Sequence, residues 1–251
     1  MKEFSFLIVA GGSGSRIGGL EKQFRSLEGK PLWRWSADLA ESLRDAGVRE
    51  IVLVLPQTGQ ADENFFQTLP SCGTPVKIVF GGATRPDSVQ NGLAACTCEF
   101  VMVHDAARPF ASRRLLLNLM ENTTPVAGAV PVMPLAEAIK RIGPKKTSQR
   151  VEAVDRDGLY ATQTPQSFHR NTLARVLKEH GASVKDEAEA WLAANLELRC
   201  IDGERLNFKV TWPEDLQLAE AFTFMRGEPT VRTGMGYDVH RLVPERPLIL
   251  G

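Results

Sequence analysis

Three short stretches of this chain carry residues suited to phosphate chemistry. The first is Ala10-Gly11-Gly12-Ser13-Gly14-Ser15-Arg16, which follows directly on the apolar run Phe6 to Val9. A glycine-rich turn at the end of a strand presents backbone N–H groups as an anion-binding concavity. Arg16 and Lys22 stand a short segment apart behind it, and two cations so placed suit a triphosphate. The stretch is not a Walker loop, because no Gly-Lys-Ser/Thr follows, and it lacks the full dinucleotide-binding spacing. Read alone, the glycines equally fit a tight turn, and the two cations a solvated face.

The second stretch is Val103-His104-Asp105-Ala106-Ala107-Arg108-Pro109. An acid just past the carboxyl end of a buried strand sits where α/β sheets bind ligands, and it suits a magnesium ion held by phosphates. Arg108 can pair with Asp105 or reach a substrate. His104 reads as a hydrogen-bonded histidine that holds the loop. The third stretch is Gly81-Gly82-Ala83-Thr84-Arg85-Pro86-Asp87-Ser88. Its glycines permit close approach to a flat base, and Asp87 or Ser88 can cap a helix. Arg85 faces either a nucleotide or an acid. Lys209 lies within the apolar Asn207-Phe208-Lys209-Val210-Thr211, where a lysine projects its amine into a site or an ion pair. Asp186-Glu187 and Arg156 are weak signals when read singly.

These stretches need a frame. Apolar runs at 4–10, 50–55, 76–80, 100–104 and 126–132 lack strict alternation, as strands buried on both faces do. Amphipathic stretches at 31–46, 61–69, 87–96 and 112–121 read as helices between them. In the first helix Leu32, Trp35, Leu39 and Leu43 form the apolar stripe, Pro31 opens it and Gly47 ends it. The repeated strand–loop–helix order predicts a doubly wound α/β domain with a mostly parallel sheet. Residues 135–160 break the rhythm. They are polar, with hairpin spacing around Gly143-Pro144, a strand at 150–154 and a turn at Asp157-Gly158, and they predict a β-arm leaving the body. Helices at 170–180 and 186–195, strands at 197–201 and 207–211, and a helix at 213–225 capped by Thr211 complete the domain. The domain is expected to span 1–226, followed by a linker over 227–233 and a tail over 234–251 that reads as the cut-short start of another domain.

Composition excludes several classes. Thirty Lys+Arg balance thirty Asp+Glu, and no basic block marks a nucleic-acid surface. The apolar run after Met1-Lys2-Glu3 is too short for a signal peptide or a membrane span. The four cysteines form no disulfide framework, and Cys96-Thr97-Cys98 is too isolated for a zinc site, so a reducing cytoplasmic setting is expected.

Taken in order, the motifs resemble the cytidylyltransferases of the non-mevalonate isoprenoid pathway, which join CTP to 2-C-methyl-D-erythritol 4-phosphate and release pyrophosphate. The resemblance runs from Phe4 to Phe224. It rests on the glycine-rich start, Lys22-Gln23, Gly81-Gly82 with Arg85 and Asp87-Ser88-Val89, His104 to Pro109, Asp155-Arg156 with Gly158-Leu159, Thr164-Pro165-Gln166, Asp186-Glu187-Ala188, and Lys209-Val210-Thr211 with Pro213-Glu214-Asp215-Leu216. It implies a Rossmann-like nucleotidyltransferase fold and a homodimer joined through the arm. Arg16, Lys22 and Lys209 would be catalytic. Ala10, Gly11, Gly12, Gly14, Gly82, Arg85, Ser88 and Asp105 would bind the nucleotide, with Asp105 serving Mg2+. Arg108, Arg156, Thr164 and Asp186 would bind the second substrate. The chain departs from the family pattern twice. The segment from Arg16 to Lys22 is one residue short, with Glu21 in place of a proline, and Glu137-Ala138 stands where the family has Asp-Thr. That family threonine helps bind methylerythritol phosphate.

The tail, Met235-Gly236-Tyr237-Asp238-Val239-His240-Arg241 and then Arg246 to Gly251, resembles the opening of methylerythritol cyclodiphosphate synthases. In that family Asp238 and His240 would bind a divalent metal, commonly Zn2+, with a later histidine that lies beyond this sequence. The resemblance therefore implies the first enzyme of a bifunctional fusion. Two rival readings remain: a cytidylyltransferase for another polyol phosphate such as ribitol 5-phosphate, and a nucleotide-binding scaffold without catalysis.

Overall fold

A computed structural model describes residues 1–10, 25–56, 73–143 and 151–226. At its centre lies an eight-stranded mixed sheet. Its strands are β1 (Phe4–Val9), β4 (Val48–Leu55), β5 (Val76–Phe80), β6 (Phe100–Asp105), β7 (Ala127–Pro134), β10 (Tyr160–Thr162), β11 (Gln166–His169) and β12 (Glu197–Asp202). β5, β4, β1 and β6 run parallel side by side. β11 pairs antiparallel with β6, and β10 antiparallel with β7, while β12 lies parallel to β7. From β1 the chain builds outward to β4 and β5, then returns to lay β6 on the other side of β1. The strand order therefore reverses between β1 and β6, and the crevice at their carboxyl ends is where such sheets bind ligands.

The expected double burial is present. Alternate residues of each central strand feed two cores. Phe4, Phe6, Ile8, Leu53 and Met102 pack on one face with Trp33 and Leu116. Leu7, Val52, Val54, Val101 and Val103 pack on the other with Val89, Leu173 and Trp191. Helices α1 (Leu32–Glu41) and α3 (Arg113–Asn122) cover the first face; α2 (Arg85–Ala95), α4 (Arg170–His180) and α5 (Glu187–Ala193) cover the second. A smaller cluster of Leu27, Leu32, Phe110, Val210 and Ala219 seats α6 (Pro213–Arg226) beside the short ribbon β2 (Ser26–Leu27) and β3 (Lys30–Pro31).

Several expectations are corrected. The first helix stops at Glu41, and a 3-10 turn over Arg44–Ala46 precedes Gly47, whose φ of +121° suits glycine alone. The buried stripe of α1 is Leu32, Trp33, Ser36, Ala37 and Ala40. Trp35 instead turns to the small cluster, edge-on to Phe110. No strand forms over 207–211; the segment from Gly203 to Trp212 has no ladder partner. Thr211 does not cap α6, because its hydroxyl donates to the Lys209 carbonyl. The Asp215 carboxylate caps instead, accepting from the N–H groups of Thr211 and Trp212 at 2.7 and 2.8 Å. The arm forms as expected. β8 (Ile139–Ile142) and β9 (Val151–Val154) make a separate exposed hairpin that leaves the body after β7 and returns at β10. The expected helix at 61–69, the linker and the tail lie outside the described residues.

The edge of the sheet opposite the crevice is tied by Glu50. Its buried carboxylate accepts from Ser5 Oγ and Lys77 Nζ, both at 2.6 Å, and from Thr97 N and Oγ1. Burial opposes ionisation, but the bonds from Lys77, Ser5 and Thr97 outweigh it and bring the carboxyl down to about 2. A carboxyl lowered in the folded chain stabilises above its ordinary value and loses that contribution as pH falls through the folded value. In urea unfolding at pH 7, Glu50→Gln is expected to cost about 1–3 kcal/mol. The gap to the parent chain should close as pH is lowered from 4.5 toward 2; a gap independent of pH would show that the charge of Glu50 contributes nothing.

Candidate active site

The crevice is organised around one carboxylate. Asp105 ends β6, and the next amide, Ala106 N–H, donates to the Val9 carbonyl at 3.1 Å, locking the two strand ends together. Ala10 lies buried beside them and donates to Val54 O at 2.9 Å. Three cations face Asp105. Lys209 Nζ lies 2.6 Å from Oδ2, Arg85 Nη2 3.4 Å from Oδ1 and Arg108 Nε 3.9 Å from Oδ2. Burial alone would raise the Asp105 carboxyl, but Arg85, Lys209 and Arg108 hold it well below the usual carboxylate range. It is an anion at every physiological pH.

Arg85 is fixed from behind. Its two terminal nitrogens donate to both oxygens of Glu187 at 2.6 and 3.0 Å. Glu187 is 1% exposed, and burial pushes its carboxyl up against the pull of Arg85. Burial works against the charge on Arg85, but Glu187 and Asp105 outweigh it and the guanidinium is raised. Lys209, Arg85 and Arg108 are thus balanced by Asp105, Glu187 and the nearby Asp186.

His104 is structural, as its sequence context implied. Its Nε2 meets the Arg108 carbonyl at 3.1 Å, and its Nδ1 meets Thr164 Oγ1 at 3.1 Å. A carbonyl only accepts, so Nε2 carries the proton and Nδ1 accepts from the threonine. Burial brings His104 down to about 4, so the ring is neutral and both nitrogens are committed. Thr164 Oγ1 in turn accepts from Asp105 N–H at 3.0 Å. Its hydroxyl proton is thus used within the protein, and it orients Asp105 instead of reaching outward.

The glycines at 81 and 82 serve the helix start as well as any ligand. A Cβ on Gly82 would fall 2.3 Å from Asp87 Cβ, and one on Gly81 2.6 Å from Ser88 Oγ. Thr84 is the cap of α2, in a capping box with Asp87. Ser88 accepts from Gly82 N–H at 3.0 Å and donates to Thr84 O. Lys209 reaches Asp105 because its neighbours Phe208 and Val210 are anchored in the small apolar cluster, leaving its side chain to the other side.

Residues 4–225 match the family described as IspD: 2-C-methyl-D-erythritol 4-phosphate cytidylyltransferase. The chain belongs to this cytidylyltransferase family. It is 39% identical over 249 residues to the bifunctional enzyme IspD/IspF of Anaeromyxobacter dehalogenans, covering 98% of this chain and 62% of that one. The chain thus spans about three-fifths of the length of that relative. The crystal structure of the 2-C-methyl-D-erythritol 4-phosphate cytidylyltransferase from Thermus thermophilus superposes with a TM-score of 0.70 at 31% identity, covering 88% of this chain and 99% of that one. The bifunctional IspDF of Campylobacter jejuni superposes with a TM-score of 0.71 at 25% identity, covering 86% of this chain and 54% of that one.

In this chain the fold brings Arg85, Asp105, Arg108 and Lys209 together, with Thr164 directly behind Asp105. Asp186 sits beside them as the cap of α5, its carboxylate accepting from Glu189 N–H and from Gln166 Nε2. Arg156 lies at the base of the arm, exposed, and donates to the Ala136 carbonyl. Gly11, Gly12, Gly14, Arg16, Lys22, Asp238 and His240 lie outside the described residues. Glu187 is the site residue that sequence reading left unassigned; its pairing with Arg85 spans 102 positions and has no local signature.

Thr164→Val removes one hydroxyl and leaves both Asp105 N–H and His104 Nδ1 without a partner. In urea unfolding it should cost about 1–3 kcal/mol, with Thr164→Ser recovering most of the loss. An undiminished stability in Thr164→Val, with the loss confined to Thr164→Ser, would show that the methyl group matters and the hydroxyl bridge does not.

Proposed function

We propose that this chain transfers the cytidylyl group of CTP to the phosphate of 2-C-methyl-D-erythritol 4-phosphate in the cytoplasm, releasing pyrophosphate. The observation that carries this reading is the anionic Asp105 at the strand-order reversal, ringed by Lys209, Arg85 and Arg108. The family match over residues 4–225 gives the substrate class. No helix among the described residues is long and apolar enough to cross a membrane.

In this reaction an oxygen of the acceptor phosphate bonds to the α-phosphorus as the bond to the leaving pyrophosphate breaks. A phosphate monoester has its second pKa near about 6, so it is already a dianion at neutral pH and needs no general base. His104, neutral and fully hydrogen-bonded, supports that economy. Catalysis then rests on positioning and on charge. Lys209 moves from Asp105 to the phosphates, Arg85 and Ser88 hold the nucleotide end, and Arg16 and Lys22 meet the triphosphate from the glycine-rich turn. Asp105 and the phosphates fit magnesium. An ionised carboxylate beside the phosphates suits an ion that also takes oxygens from its substrate. Magnesium, when bound, supplies positive charge to the phosphate oxygens. Arg156 clamps the acceptor phosphate across a dimer formed through the arm. The exposed Ile142 and Val151 of the hairpin support that dimer, because an isolated two-stranded hairpin is marginal in water. The tail carrying Asp238 and His240 opens a second, cyclodiphosphate-forming enzyme that needs Zn2+ and the remainder of that domain.

Purified chain with CTP and magnesium should release pyrophosphate rapidly with methylerythritol 4-phosphate and slowly with ribitol 5-phosphate. The reverse preference would keep the chemistry and overturn the acceptor; release with neither would favour the scaffold reading. Lys209→Met should lower kcat about 100-fold or more, as loss of one preorganised charge at a reacting phosphate does. Lys22→Ala should lower turnover comparably without changing the melting temperature.

A further inference from the structure

We infer that the stretch Gln163-Thr164-Pro165-Gln166, which runs from the end of β10 into the first residue of β11, is a positioning hub in which three polar side chains each set one charged group of the site. Gln163 sets Lys209, Thr164 sets Asp105 and Gln166 sets Arg85. This inference rests on the catalytic reading above for the importance of Lys209 and Arg85, and on geometry alone for how they are held.

Lys209 needs such support because it stands in no strand or helix. Between the end of β12 and the start of α6, backbone bonds join the segment to the sheet's carboxyl edge at Gly203 N–H to Val132 O and at Val210 N–H to Ala107 O. Between those two points Gln163 grips it with its whole amide. Its Oε1 accepts from Glu204 N–H at 3.0 Å and from Asn207 Nδ2 at 3.3 Å, and its Nε2 donates to Glu204 O at 2.8 Å. Asn207 Nδ2 also donates to Thr164 O at 2.9 Å, tying the segment a second time to the hub. Ser112 and Arg108 add bonds to the Glu204 carboxylate and the Asn207 carbonyl. Gly203 leaves the room this grip requires: a Cβ there would stand 2.7 Å from Gln163 Oε1.

The other end of the hub holds Arg85 through Glu187. Gln166 straddles that residue, with Oε1 accepting from Ala188 N–H and Nε2 donating to Asp186 Oδ2, each at 3.0 Å. α5 has only seven residues, so its first turn depends on outside bonds for its aim. The bidentate grip of Glu187 on Arg85 needs that aim. Both glutamines are buried, Gln163 at 7% and Gln166 at 1% exposure. An amide can bind donors and acceptors there without adding charge beside Asp105, which an acid or a base could not do.

The test is a set of double-mutant cycles. Gln163→Leu should lower kcat about tenfold or more alone, since small misplacement of a reacting group is costly. In a Lys209→Met background it should add less than about threefold. Gln166→Leu should retain its full effect beside Lys209→Met and lose it beside Arg85→Lys. Asn207→Ser removes the same grip on the Lys209 segment and substitutes for Gln163→Leu if that variant does not fold. Losses of equal size in every background, or no loss from either glutamine, would overturn the hub. Crystal structures of the two variants give a readout free of the reaction. Gln163→Leu should free the Lys209 amine from Asp105 and leave the Arg85–Glu187 pair intact, and Gln166→Leu should do the opposite. An unmoved Lys209 amine in Gln163→Leu overturns the hub. Unimpaired turnover in Lys209→Met overturns the catalytic reading of Lys209, and the structural comparison then decides the hub by itself.

Discussion

An ionised carboxylate buried at the mouth of the sheet is expensive unless cations surround it, and Asp105 is surrounded. Lys209, Arg85 and Arg108 come from three separate parts of the chain and meet at its two oxygens. Each is then held by something else: Arg85 by Glu187, Arg108 by the Asn207 carbonyl, and Lys209 by the apolar anchors on either side of it. Removing the charge on Asp105 would leave the partly buried Lys209 and Arg108 without their carboxylate partner, while Arg85 kept Glu187. The folded chain thus stores a self-neutralised cluster whose partners can be exchanged for phosphate and metal when a nucleotide arrives.

That cluster depends on the topology beneath it. β1 and β6 place Val9 and Asp105 side by side at the reversal of strand order, and cores on both faces pack against the two strands. The antiparallel β11 between β6 and β7 lets the chain pass back across the crevice, delivering Thr164 behind Asp105 and Gln166 against α5. Polar side chains, more than regular ladders, then fasten the segments that carry charge. The arm is the contrasting case. Its hairpin contributes little to the body of the domain and exposes apolar residues at Ile142 and Val151.

Much of this was legible in the residues. The continuous apolar runs marked β1, β4, β5, β6 and β7, because strands covered on both faces need no polar face. Pro213 and the acids after it marked the start of α6. The three phosphate-directed motifs were local, so Asp105, Arg108 and Arg85 stood out. What escaped was non-local or ambiguous in period. Phe208-Lys209-Val210 alternates like a strand, but its apolar residues meet α6 and β2 with no ladder neighbour. Trp33 and Trp35 both fit a helical stripe, and only the placement of Phe110 shows that they serve different clusters. Glu187 stood within Asp186-Glu187-Ala188 without a role, since its partner Arg85 lies 102 positions away, and Thr164 could be recognised by resemblance while its bonds to His104 and Asp105 could not.

The most direct measurement is a crystal structure of this chain with CTP and magnesium. The triphosphate should lie at the carboxyl ends of β1 and β6, with the Lys209 amine moved from Asp105 onto phosphate oxygens and the Arg85–Glu187 pair preserved. A nucleotide bound elsewhere, with the 2.6 Å contact between Lys209 and Asp105 intact, would contradict this reading.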